Sequence, residues 1–481
     1  MRRLIYFVAL LFVACMTPSY PGVDYPSNIG GTSKDREIID YINQRLSQEY
    51  YWLDEVEQKM SRFNTNLKWE NYLGSALGML QTNTDDGYLN SKGQRVFYSY
   101  IRETTSATRG AVQGFGIDLH YTIVVIDSQN GYYGFVVESV YPDSPAAMAG
   151  VKRGDIITKV ASGRITSSNY AKHFNNIQQN KLASVELLIR RRATSDGQED
   201  SFSVSLTKGA YDETPIVYSK VLEVEGYDKK IGYLVYTGFE SEYDDDLLAV
   251  LTGFASEGVE QVILDLRCNG GGAIHSAVKL CSALVPEQYN DSLLCCIKRN
   301  ERNKKMELTS DFLLTDAGQV LNLESLTVIC SNYSASASEL VIMGLRGLDF
   351  PVMLIGSTTE GKNCGMDVTR RTIAGTTVEF APITFMCFNA KGVGDWGEGI
   401  TPDLDLTDKE NEFGVYDKNY PLPYADWGSV GGDIALASAL AKITGRGLVQ
   451  QELTRSVEEL DIAEHLHIAR QAEGIYLYCE E

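Results

Sequence analysis

Histidine is scarce in this chain: five in 481 residues. No Gly-x-Ser-x-Gly elbow occurs, so a hydrolase built on a serine–histidine elbow is disfavoured. The nine cysteines are scattered, with no Cys-x-x-Cys pair, which argues against a zinc site. His465-Leu-His467 is no substitute, because residues two apart do not share a helix face. No Gly-Lys-Ser/Thr follows the one run of three glycines, so a phosphate loop is disfavoured. Positive charge is in deficit, 43 basic against 64 acidic residues for a net charge of −21, and nucleic acid is an improbable partner. The acidic stretch Glu240–Asp246 reads as a solvated helix start, where carboxylates are favoured. Past the N-terminus, no segment is long and apolar enough to span a bilayer.

What is present points to a different base. Ser334-Ala-Ser-Ala-Ser-Glu339 follows Leu326–Cys330, an apolar, β-branched run that reads as a buried strand. A helix is expected over Ala335–Leu345, closing near Gly347, with Ser336 in its first turn. There, open N–H groups and the helix dipole favour developing negative charge. Lys362 comes 26 residues after Ser336, beyond a further strand at Val352–Ser357. Burial disfavours the charged form of a lysine, so such an amine can be neutral at working pH and accept a proton. Read alone, the serines and alanines equally well cap a helix and permit close packing.

A third element lies upstream. Gln261–Arg267 reads as a buried strand, followed by Cys268-Asn-Gly-Gly-Gly272 and a helix from Ala273 to Leu284. Three glycines exceed what a tight turn needs; they let the backbone approach a ligand and present N–H groups, as half of an oxyanion hole does. All three polar clusters fall just after strands, where sites assemble in α/β folds.

Leu264–Gly272, Ser334–Glu339, Gly361-Lys362 and Gly397-Glu-Gly-Ile-Thr-Pro-Asp403 together resemble the signatures of the C-terminal-processing (tail-specific) serine peptidases, over roughly residues 110–445. The resemblance implies Ser336 as nucleophile and Lys362 as base. It implies an oxyanion hole from the N–H groups of Gly271 and Ala337, with Gly272 close behind. It also implies an αβ catalytic core like that of the crotonase and Clp protease group, with no metal or cofactor. The chain departs from the family at Met366, where many members carry a glutamine that orients the lysine. The same fold without catalysis would make a ligand-binding scaffold or sensor, and Met366 is the feature that favours that alternative.

A second module precedes this one. Gly114-Phe-Gly-Ile117 opens a strand, Gly134–Val140 is another, and Ser144-Pro-Ala146 leads through Ala149-Gly-Val151 to Gly154-Asp-Ile156. This pattern resembles a PDZ domain, with strands at Val185–Arg190 and Phe202–Leu206. PDZ domains bind a chain terminus by strand addition and hold its carboxylate on a loop of N–H groups. Gly114, Phe115, Gly116 and Ile117 match that loop.

At the N-terminus, Arg2 and Arg3 precede an apolar run of about ten residues, Leu4–Val13, as in a signal peptide. Phe12-Val-Ala-Cys15 resembles a lipoprotein cleavage box with Cys15 as the lipidated residue, which implies a lipid anchor on the periplasmic side of a bacterial cell envelope. The expected organisation of this multi-domain α/β chain is a signal peptide (1–14), a lipidated tether (15–34) and a small helical N-terminal domain (35–108). A β-rich PDZ domain (109–208), the catalytic domain (209–445) and a helical C-terminal tail (446–481) follow. The expected partners are polypeptides with free C-termini, and a membrane through the lipid.

Overall fold

The computed structural model describes residues 31–81, 84–89, 93, 95–104, 112–191, 200–303, 306–315, 320–407, 425–430, 432–446, 462–465 and 475–478. The signal peptide, Cys15 and nearly all of the expected tether lie outside the described residues.

The N-terminal segment starts with α1 (Ser33–Glu49), α2 (Leu53–Lys59) and α3 (Trp69–Leu77). Thr32 and Asp35 form a reciprocal capping box that sets the start of α1. Ile38, Ile39, Ile42 and Leu46 are fully or almost fully buried, as their helical spacing requires. The segment expected as a helical domain (35–108) is not helical throughout. After α3 the chain forms β1 (Tyr88–Leu89), β2 (Arg95–Val96) and β3 (Tyr100–Glu103). The helices share one core with Met366, Val368, Val378 and Phe380, far along the chain. Three short helices have too little apolar surface of their own and bury it on a neighbouring sheet.

The second unit runs from β4 (Val112–Gly114) through β5 (Ile117–Asp127), β6 (Tyr132–Val140), β7 (Ile156–Val160), β8 (Gly163–Thr166), β9 (Ser184–Arg191) and β10 (Asp200–Thr207) to β11 (Gly209–Tyr211). Its short α4 (Pro145–Met148) is capped by Ser144, and α5 (Tyr170–Gln178) packs beside β5. Strands β10-β9-β7-β8-β6-β5 form an antiparallel sheet closed over Phe115, Phe135, Phe174 and Ile189. Gly116 has φ of 73°, and a Cβ there would lie 2.1 Å from Ser144 Cβ, so the turn admits only glycine.

The third unit contains β12 (Ile216–Leu222), β13 (Lys230–Tyr236), β14 (Val259–Asp265), β15 (Leu293–Arg299), β16 (Thr309–Leu313), β17 (Leu326–Cys330), β18 (Val352–Gly356), β19 (Cys364–Ile373), β20 (Thr376–Ala381), β21 (Ile383–Asn389) and β22 (Leu404–Asp405). Crossover helices α6 (Asp244–Ser256), α7 (Ile274–Leu284) and α8 (Ala337–Gly347) make β13-β14-β17-β18 parallel. One face of that sheet buries Leu264, Val328, Leu340 and Val341. The other is covered by α9 (Ile434–Thr444) over Ile263, Ile329 and Ile355. A second sheet, β16-β15-β21-β19-β20-β3, lies alongside. This is the mixed α/β architecture the motifs imply.

The expected helical tail is also corrected. Its described parts beyond Arg446 are strands, β23 (Ile462–His465) and β24 (Ile475–Tyr478). β23 pairs with β5, and β24 pairs with β19. Available sheet edges override the helical pattern, because an edge strand offers ready-made N–H and C=O partners.

Candidate active site

Ser336 is the last residue before α8 rather than part of its first turn. Its backbone has φ 63° and ψ −109°, a conformation costly for a residue with a Cβ. The strain is held by Glu339, whose Oε2 accepts the Ser336 N–H at 2.7 Å. Ser334 and Ser338 are committed elsewhere: their hydroxyls donate to the carbonyls of Leu266 (2.8 Å) and Asn269 (3.0 Å).

Glu339 also reaches the lysine loop. Its Oε2 accepts the Lys362 N–H at 2.8 Å, and its Oε1 accepts Gly361 N–H at 2.7 Å and the Thr359 hydroxyl at 2.6 Å. One carboxyl group thus ties the Ser336 turn to the Lys362 turn. Burial pushes its pKa up to about 7, against the four hydrogen bonds that favour the anion.

Lys362 is fully buried, and its amine makes no hydrogen bond to Ser336 Oγ or to any other atom of the described residues. The Nζ lies 4.4 Å from the centroid of the Tyr98 ring. Burial lowers its pKa; Cys364, Asp86, Glu360 and Glu339 pull the other way. These neighbours are themselves shifted by burial away from the anion, Cys364 to about 12 and Asp86, Glu360 and Glu339 upward. The pocket therefore suits a neutral amine. Asp86 is held by the hydroxyls of Tyr50 and Ser99, and Tyr98 donates to Glu360 at 3.1 Å. Tyr50, Asp86, Tyr98 and Ser99 all belong to the N-terminal segment.

The glycine loop is locked to the serine turn by Asn269. Its carbonyl accepts the Ala335 N–H, its Nδ2 donates to Tyr236 O, and its Oδ1 accepts the Gly271 N–H at 2.9 Å. The Gly271 N–H is therefore engaged, contrary to the expectation that it stands open. Among the described residues no acceptor takes the N–H of Gly272 or of Ala337. Gly272 has φ of 140°, and a Cβ there would meet Phe239 O at 2.3 Å. A strained serine, a buried amine lacking an acceptor and two open N–H groups can together perform nucleophilic acyl transfer.

Two stretches of the chain are similar to known protein families. Residues 136–191 match the model of the PDZ domain, and residues 230–406 match that of peptidase family S41. The chain carries an S41 peptidase domain behind a PDZ domain. A "Probable CtpA-like serine protease" of Staphylococcus epidermidis is 26% identical over 274 residues, 56% of this chain and 50% of the relative. The chain thus spans about half the length of the curated relatives it matches first. A "Carboxy-terminal-processing protease" of Bartonella bacilliformis is 22% identical, covering 84% of this chain and 82% of the relative. A crystal structure from Bacteroides fragilis, assigned to the S41 proteases, superposes with a TM-score of 0.66 at 22% identity. It covers 84% of this chain and 97% of the other, and it shares the fold.

The PDZ unit faces the S41 domain at its glycine loop. Glu138 of β6 accepts a hydrogen bond from the Cys268 thiol at 3.3 Å, and His120 of β5 stacks edge-on against Tyr333. Arg153 lies 3.8 Å over the Trp427 ring and donates to Ala425 O. A cavity of about 140 Å³ separates the units, lined by Asp118, Gln178, Cys268 and Tyr333 among others. In the expected carboxylate loop, the Phe115 N–H is taken by Asn180 Oδ1 at 2.8 Å. Beside it, the Leu119 N–H is taken by Gln178 Oε1 at 2.8 Å.

The motifs of the S41 domain contained Glu339 and Asn269, yet sequence reasoning assigned neither a role. A carboxyl three residues after a strained N-terminal serine was the available signal for Glu339. Tyr98 and Asp86 had no signal, because they reach the pocket across more than 250 residues. Met366 is buried in the core shared with the N-terminal helices. His275 is exposed on α7, against Phe312. All seven described cysteines carry free thiols; Cys281 and Cys330 are core residues, as their apolar context suggested.

Proposed function

We propose that this chain is a serine endopeptidase that cleaves unfolded or C-terminally tagged polypeptides selected by its PDZ unit. The observation that carries the reading is the buried Lys362 amine without a hydrogen-bond partner, joined through Glu339 to the strained turn of Ser336. Neutral Lys362 takes the proton of Ser336 Oγ as that oxygen attacks a peptide carbonyl. The oxyanion rests on the N–H groups of Gly272 and Ala337, with Gly271 joining when it leaves Asn269. Lys362 then protonates the departing amine and activates the water that hydrolyses the acyl-enzyme. Catalytic hydrogen bonds are commonly long in ligand-free states, so an open serine–lysine pair fits a resting enzyme.

In this reading Tyr98 takes the positioning role that glutamine has elsewhere in the family, by presenting its ring face to the amine. A free C-terminus adds beside β5, with its carboxylate at Gly114–Ile117. Lipidation at Cys15 would hold the enzyme at the periplasmic face of an envelope membrane, and Cys15→Ser tests that by release into the soluble fraction. A scaffold or sensor without catalysis is the second reading, favoured by methionine at 366. Hydrolysis of an unfolded protein such as casein, with Ser336→Ala as the control, separates the two. The peptidase reading requires turnover that Ser336→Ala abolishes while the thermal transition stays in place. Equal turnover by Ser336→Ala overturns it.

A further inference from the structure

Two strand edges of this molecule are taken by its own C-terminal segment. On β5, β23 adds antiparallel, with Ile462 opposite Val124 and His465 opposite Thr122. Its chain direction runs toward Ile117 and the carboxylate loop, the polarity of a ligand added to a PDZ domain. Nearer the loop the edge is closed by side-chain amides: Gln178 holds the Leu119 N–H, and Asn180 holds the Phe115 N–H. Gln178 is further fixed by donating from Nε2 to Asp118 Oδ1 at 3.0 Å. On β19, β24 adds parallel, Ile475 opposite Gly365 through Tyr478 opposite Val368. That pairing starts three residues beyond Lys362. β24 also lies against α7, the helix that leaves the glycine loop.

We infer that β5 and β19 are two polypeptide-binding edges and that β23 and β24 are their resident intramolecular occupants. The partner these edges fit is an extended polypeptide ending in a free carboxylate. It would replace β23 on β5 and the amides of Gln178 and Asn180 at the loop. Because β23 and β24 belong to one segment, release of the first weakens the hold of the second beside Lys362. The inference rests on the PDZ and peptidase reading above, and it adds that both edges are occupied at rest. Strand edges are sticky to any extended chain, so an internal occupant also guards them against wrong partners. If the occupant is docked about 99% of the time, the apparent affinity for a competing peptide falls about 100-fold.

The test is a binding measurement, independent of proteolysis. Full-length protein carrying Ser336→Ala is titrated into a fluorescent ten-residue peptide with an apolar, free C-terminus, and into its amidated twin. The same is done after adding Glu464→Pro together with His465→Pro, so that at least one of the two prolines falls on an N–H facing β5, and with a chain ending at Arg446. The expected result is a Kd for the free-acid peptide at least tenfold lower in both altered forms, with little change for the amidated peptide. Hydrogen exchange at residues 122–124 should be faster in the double-proline form. Should truncation unfold the chain, the double-proline form alone decides. Equal affinity across the forms, no binding by any form, or unchanged exchange at 122–124 overturns the inference. Casein hydrolysis by the unsubstituted chain is a separate measurement, so failure of the peptidase reading is told apart from failure of this one.

Discussion

Arg267 and Lys362 are both buried basic side chains, and their surroundings are opposite. Arg267 lies under the glycine loop with its guanidinium on Asp265 at 2.6 Å and on Asp433 at 2.9 Å. Burial opposes its charge, but the two carboxylates outweigh that and hold its pKa well above the ordinary value. Arg299 repeats the arrangement on Asp367. Lys362 is equally buried, yet its amine has an aromatic face and no hydrogen bond. Burial lowers its pKa, and the neighbouring carboxyls are themselves pushed toward neutrality. Burial by itself does not make a base. What sets the proposed base apart is a low-dielectric pocket that withholds the partners a structural cation receives.

The sharpest break in that comparison is to make the lysine resemble the arginine. Lys362→Arg should lower kcat by about 10³-fold or more, since guanidinium does not deprotonate in proteins. Turnover of casein by purified protein reads this out, and retained activity would remove Lys362 as the base. The converse change is on the structural side. Arg267→Met leaves Asp265 and Asp433 without their buried partner and should cost about 3–5 kcal/mol in urea unfolding. A change below 1 kcal/mol would mean the pair contributes little beyond shape.

A smaller effect of opposite sign is expected at the lysine. Lys362→Met replaces an amine lacking a partner with an apolar chain and should stabilise the fold by about 1–3 kcal/mol at neutral pH. The folded pKa is lowered, so the unfolded state binds more protons between that pKa and the ordinary 10.5. The cost of burying the amine, and hence the gain from Met, is full below the folded pKa. It shrinks as pH rises toward 10.5. Unfolding curves at pH 7 and pH 10 test the sign; a gain that grows with pH contradicts a depressed amine.

The smallest effect concerns Tyr98. Removing its ring in Tyr98→Leu takes away about 0.5–2 kcal/mol of preference for the charged amine. The rate–pH profile should shift to lower pH, and Tyr98→Phe, which keeps the ring, should restore it. A merely structural tyrosine would lower activity without moving the profile.

Much of the site was legible because it is local. Ser336 and Ala337 are adjacent, and the glycines follow their strand directly, so short-range chemistry exposes them; Glu339 lies in the same turn but its role was not read. The turn at Gly116 is local in the same sense, since its φ demands glycine. The N-terminal helices were legible as helices but not as a wall of the lysine pocket. Their apolar faces carry no record of which sheet they cover. The described tail segments 462–465 and 475–478 were not legible as strands, because the sheet edges they pair with exist only after folding.

The sequence by itself determined the chemistry on offer: a serine in a small-residue turn, a distant lysine, a glycine loop and a strand-adding module. Each follows from residue type and neighbours within a few positions. Tertiary structure alone decided that Lys362 is buried beside Tyr98 and Asp86, that Glu339 joins its turn to that of Ser336, and that the C-terminal strands sit on β5 and β19. Protonation and edge occupancy depend on dielectric surroundings and on which unpaired backbone groups meet. Both are properties of segments far apart in the chain, set only when the domains pack.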